Sequence, residues 1–450
     1  MPALVRIAAV AVAGVTLYFA GIVNSIVINE PSRGGALAVA LAVGAALAML
    51  VAALRGRGDE PFAGTSRTAV RVIWLLVSIC ALVGLAWLFG VPRQRGFDWT
   101  PYHNDAIAIN ECAAKTILAG GRPYSDVDLF SCYGERRLGP DRTTPLRRGL
   151  FADVPVYPSD DELDAAWAER SRGRGENVEF VWRPSYPALS YFPLLPWVAV
   201  GWDTNLLYLL CLLAAMALVL SRARPDLRPF VTVGLLGSVA PIAFTVGGSG
   251  DLLYALPLVA AWTWRERGWS AVAFGLSAAA KQLAWFFAPY LFMQWIASHG
   301  PREAVRRAAV SAGVFALVNL PLAAGDVEGW LRGVTTPLAE PMFARGAGLV
   351  FLSTNGVLPM LPASAYLAME LVAAAACLVT AWRLRQRSPE LGVVLAVVPL
   401  YFAYRSLFSY FFLLPLFAMA SLVRMRLPAL TPGAAREAGA VTILVEPRRR

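Results

Sequence analysis

An all-α fold, a polytopic bundle of membrane-spanning helices with one long polar loop, follows from composition, run length and charge placement. Of the 450 residues, 57% are hydrophobic and 16% charged, and mean hydropathy is +0.55. Many apolar runs approach or reach the roughly 20 residues that a bilayer crossing requires. The net charge of +10 comes almost wholly from Arg, with Lys only at 115 and 281. These cations sit largely in short connections between apolar runs, so they report topology and not a nucleic-acid partner.

Apolar runs at 4–28, 35–54, 70–91, 203–221, 229–246, 250–265, 308–324, 363–382, 391–404 and 407–423 are each expected to be a span. The first is too long for a signal-peptide core and lacks an Ala-x-Ala-type site, so it is read as a true crossing. A further block, 269–296, is interrupted by Lys281. Arg-bearing connections such as Arg55/Arg57, Arg222/Arg224, Arg265/Arg267, Arg306/Arg307 and Arg383/Arg385 are all satisfied on the cytoplasmic side if that block is a two-helix hairpin with Lys281 at its outer tip. The scheme has about 12 crossings, within a range of about 10–13, with both termini cytoplasmic. Two Pro-interrupted apolar stretches, 186–202 and 349–361, are left over as re-entrant or interfacial elements, which at membrane depth usually line a site.

Three regions result: an N-terminal two-helix extension at 1–69, a main transmembrane module at 70–428 that includes an extracytoplasmic loop at 92–185, and a basic cytoplasmic tail at 429–450. The loop carries a helical pattern at 105–119 that stops at Gly120-Gly121-Arg122-Pro123-Tyr124, an Arg-rich stretch at 136–148 and an acidic helix at 160–170. No separate soluble domain is expected in it. Cys80, Cys211 and Cys377 lie in apolar runs as small core residues. Cys112 and Cys132 lie in the loop, where they are either two free thiols or a bridge closing about 20 residues and contributing ~3 kcal/mol in an oxidising compartment.

This topology gathers Asp98, Asp105, Glu111, Arg183, Asp251 with its preceding glycines, Lys281, Asn355 and Arg405 on the outer side. A Lys within Ala278-Ala279-Ala280-Lys281 is expensive in hydrocarbon and is expected to face a cavity or a partner, unless it snorkels to the interface. Arg405, beside Tyr404 between two apolar helices, can grip a phosphate bidentately or simply cap a helix. Arg183 stands where the loop returns to the membrane. Asp251 reads as a helix N-cap and Asn355-Gly356 as a turn, each with substrate contact as the alternative. With only His103 and His299 and no cluster at ligand spacing, no metal is expected.

Asp105 is followed by an Ala-rich helix and Gly120-Gly121-Arg122-Pro123-Tyr124, then by Tyr186-Pro187-Ala188 and by Gly275-Leu276 to Lys281 before Pro289. In these motifs the chain resembles the GT-C glycosyltransferase superfamily, and most closely its family 87 branch, which uses polyprenyl-phosphate mannose and has Tyr-Pro-Pro where this chain has Tyr186-Pro187-Ala188. The resemblance covers residues 100–290 and implies a GT-C-type bundle, a lipid-linked sugar donor, a glycolipid or glycan acceptor, membrane lipids as surroundings and no cofactor. The implied activity is transfer of a sugar, most directly mannose, to an acceptor hydroxyl at the outer face. Such a step needs a carboxylate to take the acceptor proton and cations to hold the departing phosphate. Asp105 occupies the family position for the base, with His103 and Asn104 beside it and Glu111 and Asp98 as fallback carboxylates; Asp105 can also be read as a mere N-cap. Lys281, Arg405 and Arg183 are the candidate phosphate ligands, and His103, Asn104, Glu111, Tyr186, Asp251, Asn355 and Tyr404 candidate substrate contacts. A transporter or flippase is the competing class, but it calls for inverted repeats, and the large polar loop occurs once.

Overall fold

The computed structural model of the protein describes residues 2–56, 66–90, 104–136, 138–172 and 179–425. Asp98, His103, Arg57 and the 429–450 tail lie outside the described residues. Six helices are long and apolar enough to cross a membrane: Pro2–Asn29, Arg33–Leu54, Arg67–Gly90, Thr204–Arg222, Pro301–Ala323 and Ala363–Leu384. A seventh results if Arg228–Gly237 and Val239–Val246, bent by 52° at a break, count as one span. The break falls at Ser238, whose hydroxyl donates to the Gly234 carbonyl at 2.9 Å, and Pro241 just beyond it has no N–H to continue the ladder.

Other runs read as spans are helices of only 10–17 residues, among them Leu252–Thr263, Ser270–Ala280 and Phe408–Leu422. At a rise of 1.5 Å per residue, 12 residues cover about 18 Å, short of the roughly 30 Å hydrocarbon core. Prolines shape these pieces: Pro257 lies inside Leu252–Thr263, and Pro399 and Pro415 open successive turns.

The bundle has two polar ends. At one, Arg6 donates to the Ala53 carbonyl at 2.5 Å, the Gly56 N–H donates to Ser388 at 2.7 Å, and Arg265 forms a buried bidentate pair with Glu390 at 2.5 and 3.0 Å. Arg307 donates to the Arg265 carbonyl at 2.5 Å, and Arg424 reaches Glu266 at 2.7 Å. Ser270–Ala280 leaves this end and runs to Lys281; Ala288–His299 comes back, leaving His299 Nε2 3.7 Å from Glu266. Lys281 thus stands at the turn of a helical hairpin, on the opposite end of the bundle.

The loop covers that opposite end. Asp105–Leu118 is joined to Leu129–Glu135 by a disulfide between Cys112 and Cys132. Asp160–Ser171 begins with a capping box in which Ser159 and Glu162 satisfy each other's backbone N–H groups. The described part of the loop builds two small cores. One joins Ile109, Cys112, Leu129, Cys132 and Tyr133; the other joins Phe151, Leu163 and Phe180 to Phe343 from far along the chain. An isolated bridge from Pro145 to Phe180 closes the loop on itself, and one from Leu146 to Met342 fastens it to the 340s segment.

Candidate active site

Asp105 opens the first helix of the loop without capping it. That task falls to Asn104, whose side-chain oxygen accepts from the Ile107 N–H at 3.1 Å while its amide donates to the Gly248 carbonyl at 3.1 Å. Freed from capping at the third position, Asp105 accepts from the Ala106 N–H at 2.7 Å and, through its other oxygen, from the Thr144 hydroxyl at 2.5 Å. Burial pushes its carboxyl above the ordinary Asp range, opposed by the Thr144 and Ala106 hydrogen bonds and by the charges of Arg405 and Arg345.

Those two arginines are placed by a two-residue parallel bridge that pairs Arg345 with Arg405 and Gly346 with Ser406. Neighbouring strands lie about 4.8 Å apart, so the paired guanidinium stems leave the backbone side by side. Gly346 makes the approach possible, because a Cβ there would stand 2.2 Å from the Ser406 carbonyl oxygen. Arg345 also donates to the Tyr157 hydroxyl and sits 4.2 Å from that ring, so the loop supports it.

Lys281 ends Ser270–Ala280 in an extended conformation, φ −156° and ψ 142°, which turns its side chain toward Asp251. The ammonium donates to one Asp251 oxygen and lies 5.1 Å from the Tyr186 ring centre. Asp251 is therefore an ion-pair partner and not the expected side-chain cap, and its second oxygen accepts from Ser249 at 3.1 Å. The Tyr186 carbonyl accepts from Tyr124 at 2.7 Å and Tyr191 at 2.8 Å. Gln282, next to Lys281, donates to the carbonyls of Ser185 at 2.6 Å and Val334 at 2.8 Å. The Tyr186-Pro187-Ala188 turn is thereby clamped between the loop and the hairpin.

Asp105, Thr144, Arg405, Lys281, Asp251 and Tyr186 border one cavity of about 1650 Å³, with Arg345 and Tyr157 outside its lining. Its polar wall includes Asn104, Asp105, Thr144, Arg147, Tyr186, Asp251, Lys281, Tyr404, Arg405 and Tyr410, and its apolar wall Trp285, Phe286, Leu367, Leu378, Phe408 and Phe412. Sites for single small ligands are about 300–1,000 Å³, so this space admits two substrates together. Tyr404 lies 5.8 Å, ring to ring, from Tyr366.

Three residues singled out from the sequence do not line it. Arg183 stacks on Trp182 at 3.7 Å. Glu111, its side chain 3% exposed, accepts from Thr204 at 2.6 Å and pairs with Arg136 at 3.1 Å, which anchors the loop to the helix Thr204–Arg222 away from the cavity lining. Asn355 donates to the Phe351 carbonyl at 2.9 Å and closes Leu349–Thr354, as a turn residue does. Conversely, Thr144, Arg147, Tyr157 and Arg345 escaped the sequence reading. Thr144 and Arg147 fall inside the Arg-rich stretch 136–148, which carries no mark that tells one of its polar residues from another, and Tyr157 and Arg345 are single residues in irregular segments. Among the described residues, no three His, Cys, Asp or Glu side chains converge as a metal site.

Residues 184–409, half of the chain, match the family model of Glycosyltransferase family 87. Neither a curated protein nor a solved structure matches. The match takes in the Tyr186 turn, the Asp251–Lys281 pair and the Arg345–Arg405 bridge, and the helical, membrane-type bundle around the cavity agrees with it. The chain belongs to glycosyltransferase family 87, a GT-C type family of membrane glycosyltransferases.

Proposed function

We propose that this membrane glycosyltransferase moves a sugar, mannose in the first instance, from a polyprenyl-phosphate donor to a hydroxyl of a glycolipid or glycan acceptor, with Asp105 as general base. The observation that carries this reading is a single arrangement: a carboxylate oriented by Thr144 in a large cavity, with the charges of Arg405 and Arg345 acting on it. In the reaction the acceptor oxygen bonds to the anomeric carbon as the bond from that carbon to the phosphate oxygen breaks. The acceptor proton passes to Asp105, and polyprenyl phosphate leaves with the bonding pair. Burial suits Asp105 to this task, because a base with raised proton affinity takes a proton more readily in the transition state. Arg405, on the cavity wall, stabilises the charge that develops on the phosphate, and Arg345, its neighbour along the bridge and held to Tyr157, adds its positive charge from outside the lining. Lys281, held by Asp251 over the Tyr186 ring, lies on the same wall as a second cationic group. Trp285, Phe286, Leu367 and Leu378 offer the apolar surface that a prenyl chain needs.

In this reading the chain crosses the cell membrane about 12 times, with both termini cytoplasmic and the cavity facing outward. The arginine-rich end around Arg265, Arg307 and Arg424, opposite the cavity, supports that orientation. The Cys112–Cys132 disulfide supports an oxidising outer compartment for the loop. The test is transfer by the purified protein in lipid, given labelled polyprenyl-phosphate mannose and a membrane-lipid extract. A labelled product other than donor is expected. No product from this or any other polyprenyl-phosphate sugar would overturn the reading and turn attention to lipid flipping.

A further inference from the structure

The N-terminal helix Pro2–Asn29 precedes the matched residues 184–409, yet it forms part of the cavity wall through Gly21, Asn24 and Ser25. Gly21 sets how closely this helix approaches. A Cβ there would stand 2.2 Å from Phe244 Cζ and 2.9 Å from Phe408 Cε1, so only glycine lets the helix rest against that aromatic group. Phe244 in turn has its ring centre 4.9 Å from Phe408 and 5.7 Å from Phe412. Asn24 is three residues on and shares the face of Gly21.

Asn24 is 7% exposed, and its side-chain oxygen has no hydrogen-bond partner among the described residues. Its neighbour Ser25 has a partner, since that hydroxyl donates to the Gly21 carbonyl at 3.0 Å. An unpaired amide inside an apolar membrane helix is costly, and such groups normally face a partner or a wet cavity. Among the described residues that oxygen has no partner, and Asn24 borders the cavity. The chemistry of the amide selects among occupants. It donates and accepts at once, which a sugar hydroxyl reciprocates in full. A phosphate only accepts, and a prenyl chain does neither. Aromatic faces beside the amide give the C–H face of a sugar ring an apolar surface to lie on.

We propose that Asn24 recognises a hydroxyl of a sugar ring bound in the cavity, so that the N-terminal helix is part of the substrate site. The inference rests on the transferase reading above. The ring belongs either to the donor or to a glycosylated acceptor, and both present the same chemistry.

The test is steady-state transfer by the full chain in lipid, with KM determined separately for donor and acceptor in wild type, Asn24→Leu and Asn24→Ser, alongside thermal midpoints. Losing one hydrogen bond of ordinary strength is expected to raise one KM about tenfold in Asn24→Leu, which is about 1.4 kcal/mol, with kcat held within about twofold. The substrate whose KM moves identifies the source of the ring. Asn24→Ser, which still donates and accepts, is expected to recover part of the loss. Because the amide oxygen is unpaired among the described residues, Asn24→Leu is expected to keep or raise the midpoint, whereas a merely structural Asn24 would lower it. Should Asn24→Leu not fold, Asn24→Ser and Asn24→Ala carry the same comparison. Wild-type transfer with neither KM changed in the variants overturns the inference and leaves the transferase standing. Absence of transfer by wild type overturns the transferase reading and this inference with it.

Discussion

The Thr144 hydroxyl donates to the Asp105 carboxylate at 2.5 Å across 39 residues of loop. One oxygen of Asp105 is thus committed to the loop and the other to the Ala106 N–H at 2.7 Å, so the carboxylate has a defined orientation in the cavity wall before any substrate enters. Pre-set orientation of a reacting group is a large part of what an active site contributes to rate.

The pH profile follows from the direction of the Asp105 shift. Burial raises its pKa above the ordinary value, about 3.9, and a general base works only when deprotonated. Activity is therefore full at pH above the raised value and is lost as pH falls through it. Thr144→Val removes a hydrogen bond that favours the charged form, so the acidic limb of kcat/KM moves to still higher pH. A limb that stays fixed in Thr144→Val would separate that hydroxyl from the titration of Asp105.

Arg345 is expected to act with Arg405 on the phosphate. Replacing Arg345 by Met removes one charge of the pair and its support from Tyr157 and lowers kcat by about 10²-fold, while Arg345→Lys, which keeps charge but not the planar fork, recovers only part. Steady-state kinetics with saturating acceptor measures both.

The Asp251–Lys281 pair makes a stability prediction. Lys281 and Asp251 have side chains 19% and 4% exposed. Asp251→Asn leaves a mostly buried cation without its partner, at a cost of about 3 kcal/mol, the low end for broken buried pairs. Thermal midpoints in lipid should show Asp251→Leu with Lys281→Met less destabilised than Asp251→Asn alone.

The Cys112–Cys132 bridge, closing 20 residues of sequence, ties the helix that begins at Asp105 to the next helix of the loop. In the chain-entropy account a loop of that length contributes about 3 kcal/mol. Cys112→Ser with Cys132→Ser is expected to lower the thermal midpoint, and wild type under a reductant should converge on it.

The parts of the fold legible from sequence are those with a strong local signal. Pro2–Asn29, Arg33–Leu54 and Thr204–Arg222 are long uninterrupted apolar runs, and the hairpin with Lys281 at its turn follows from the placement of a lone cation between arginine-rich flanks. Arg228–Gly237 and Val239–Val246 read as one run, and their 52° bend is not legible because hydropathy does not register a single missing N–H at Pro241. The loop cores were hidden for a different reason. Phe151, Phe180 and Phe343 come from segments without periodicity and meet only in three dimensions. The site divides in the same way. Asp105, Lys281 and Arg405 stand out against apolar or motif-bearing surroundings. Thr144 and Arg345 carry no local mark, because their positions depend on a loop contact and on a bridge between strands 60 residues apart. Asp251 was read as a cap because its partner lies 30 residues later.

The most direct measurement is the single-turnover rate of label transfer from polyprenyl-phosphate mannose by Asp105→Asn against wild type, with folding of both verified by thermal midpoint. With Asp105 as the base, the variant keeps its fold and loses about 10²–10⁴-fold in rate. A folded Asp105→Asn protein that transfers sugar at the wild-type rate would contradict the assignment and require another group to take the acceptor proton.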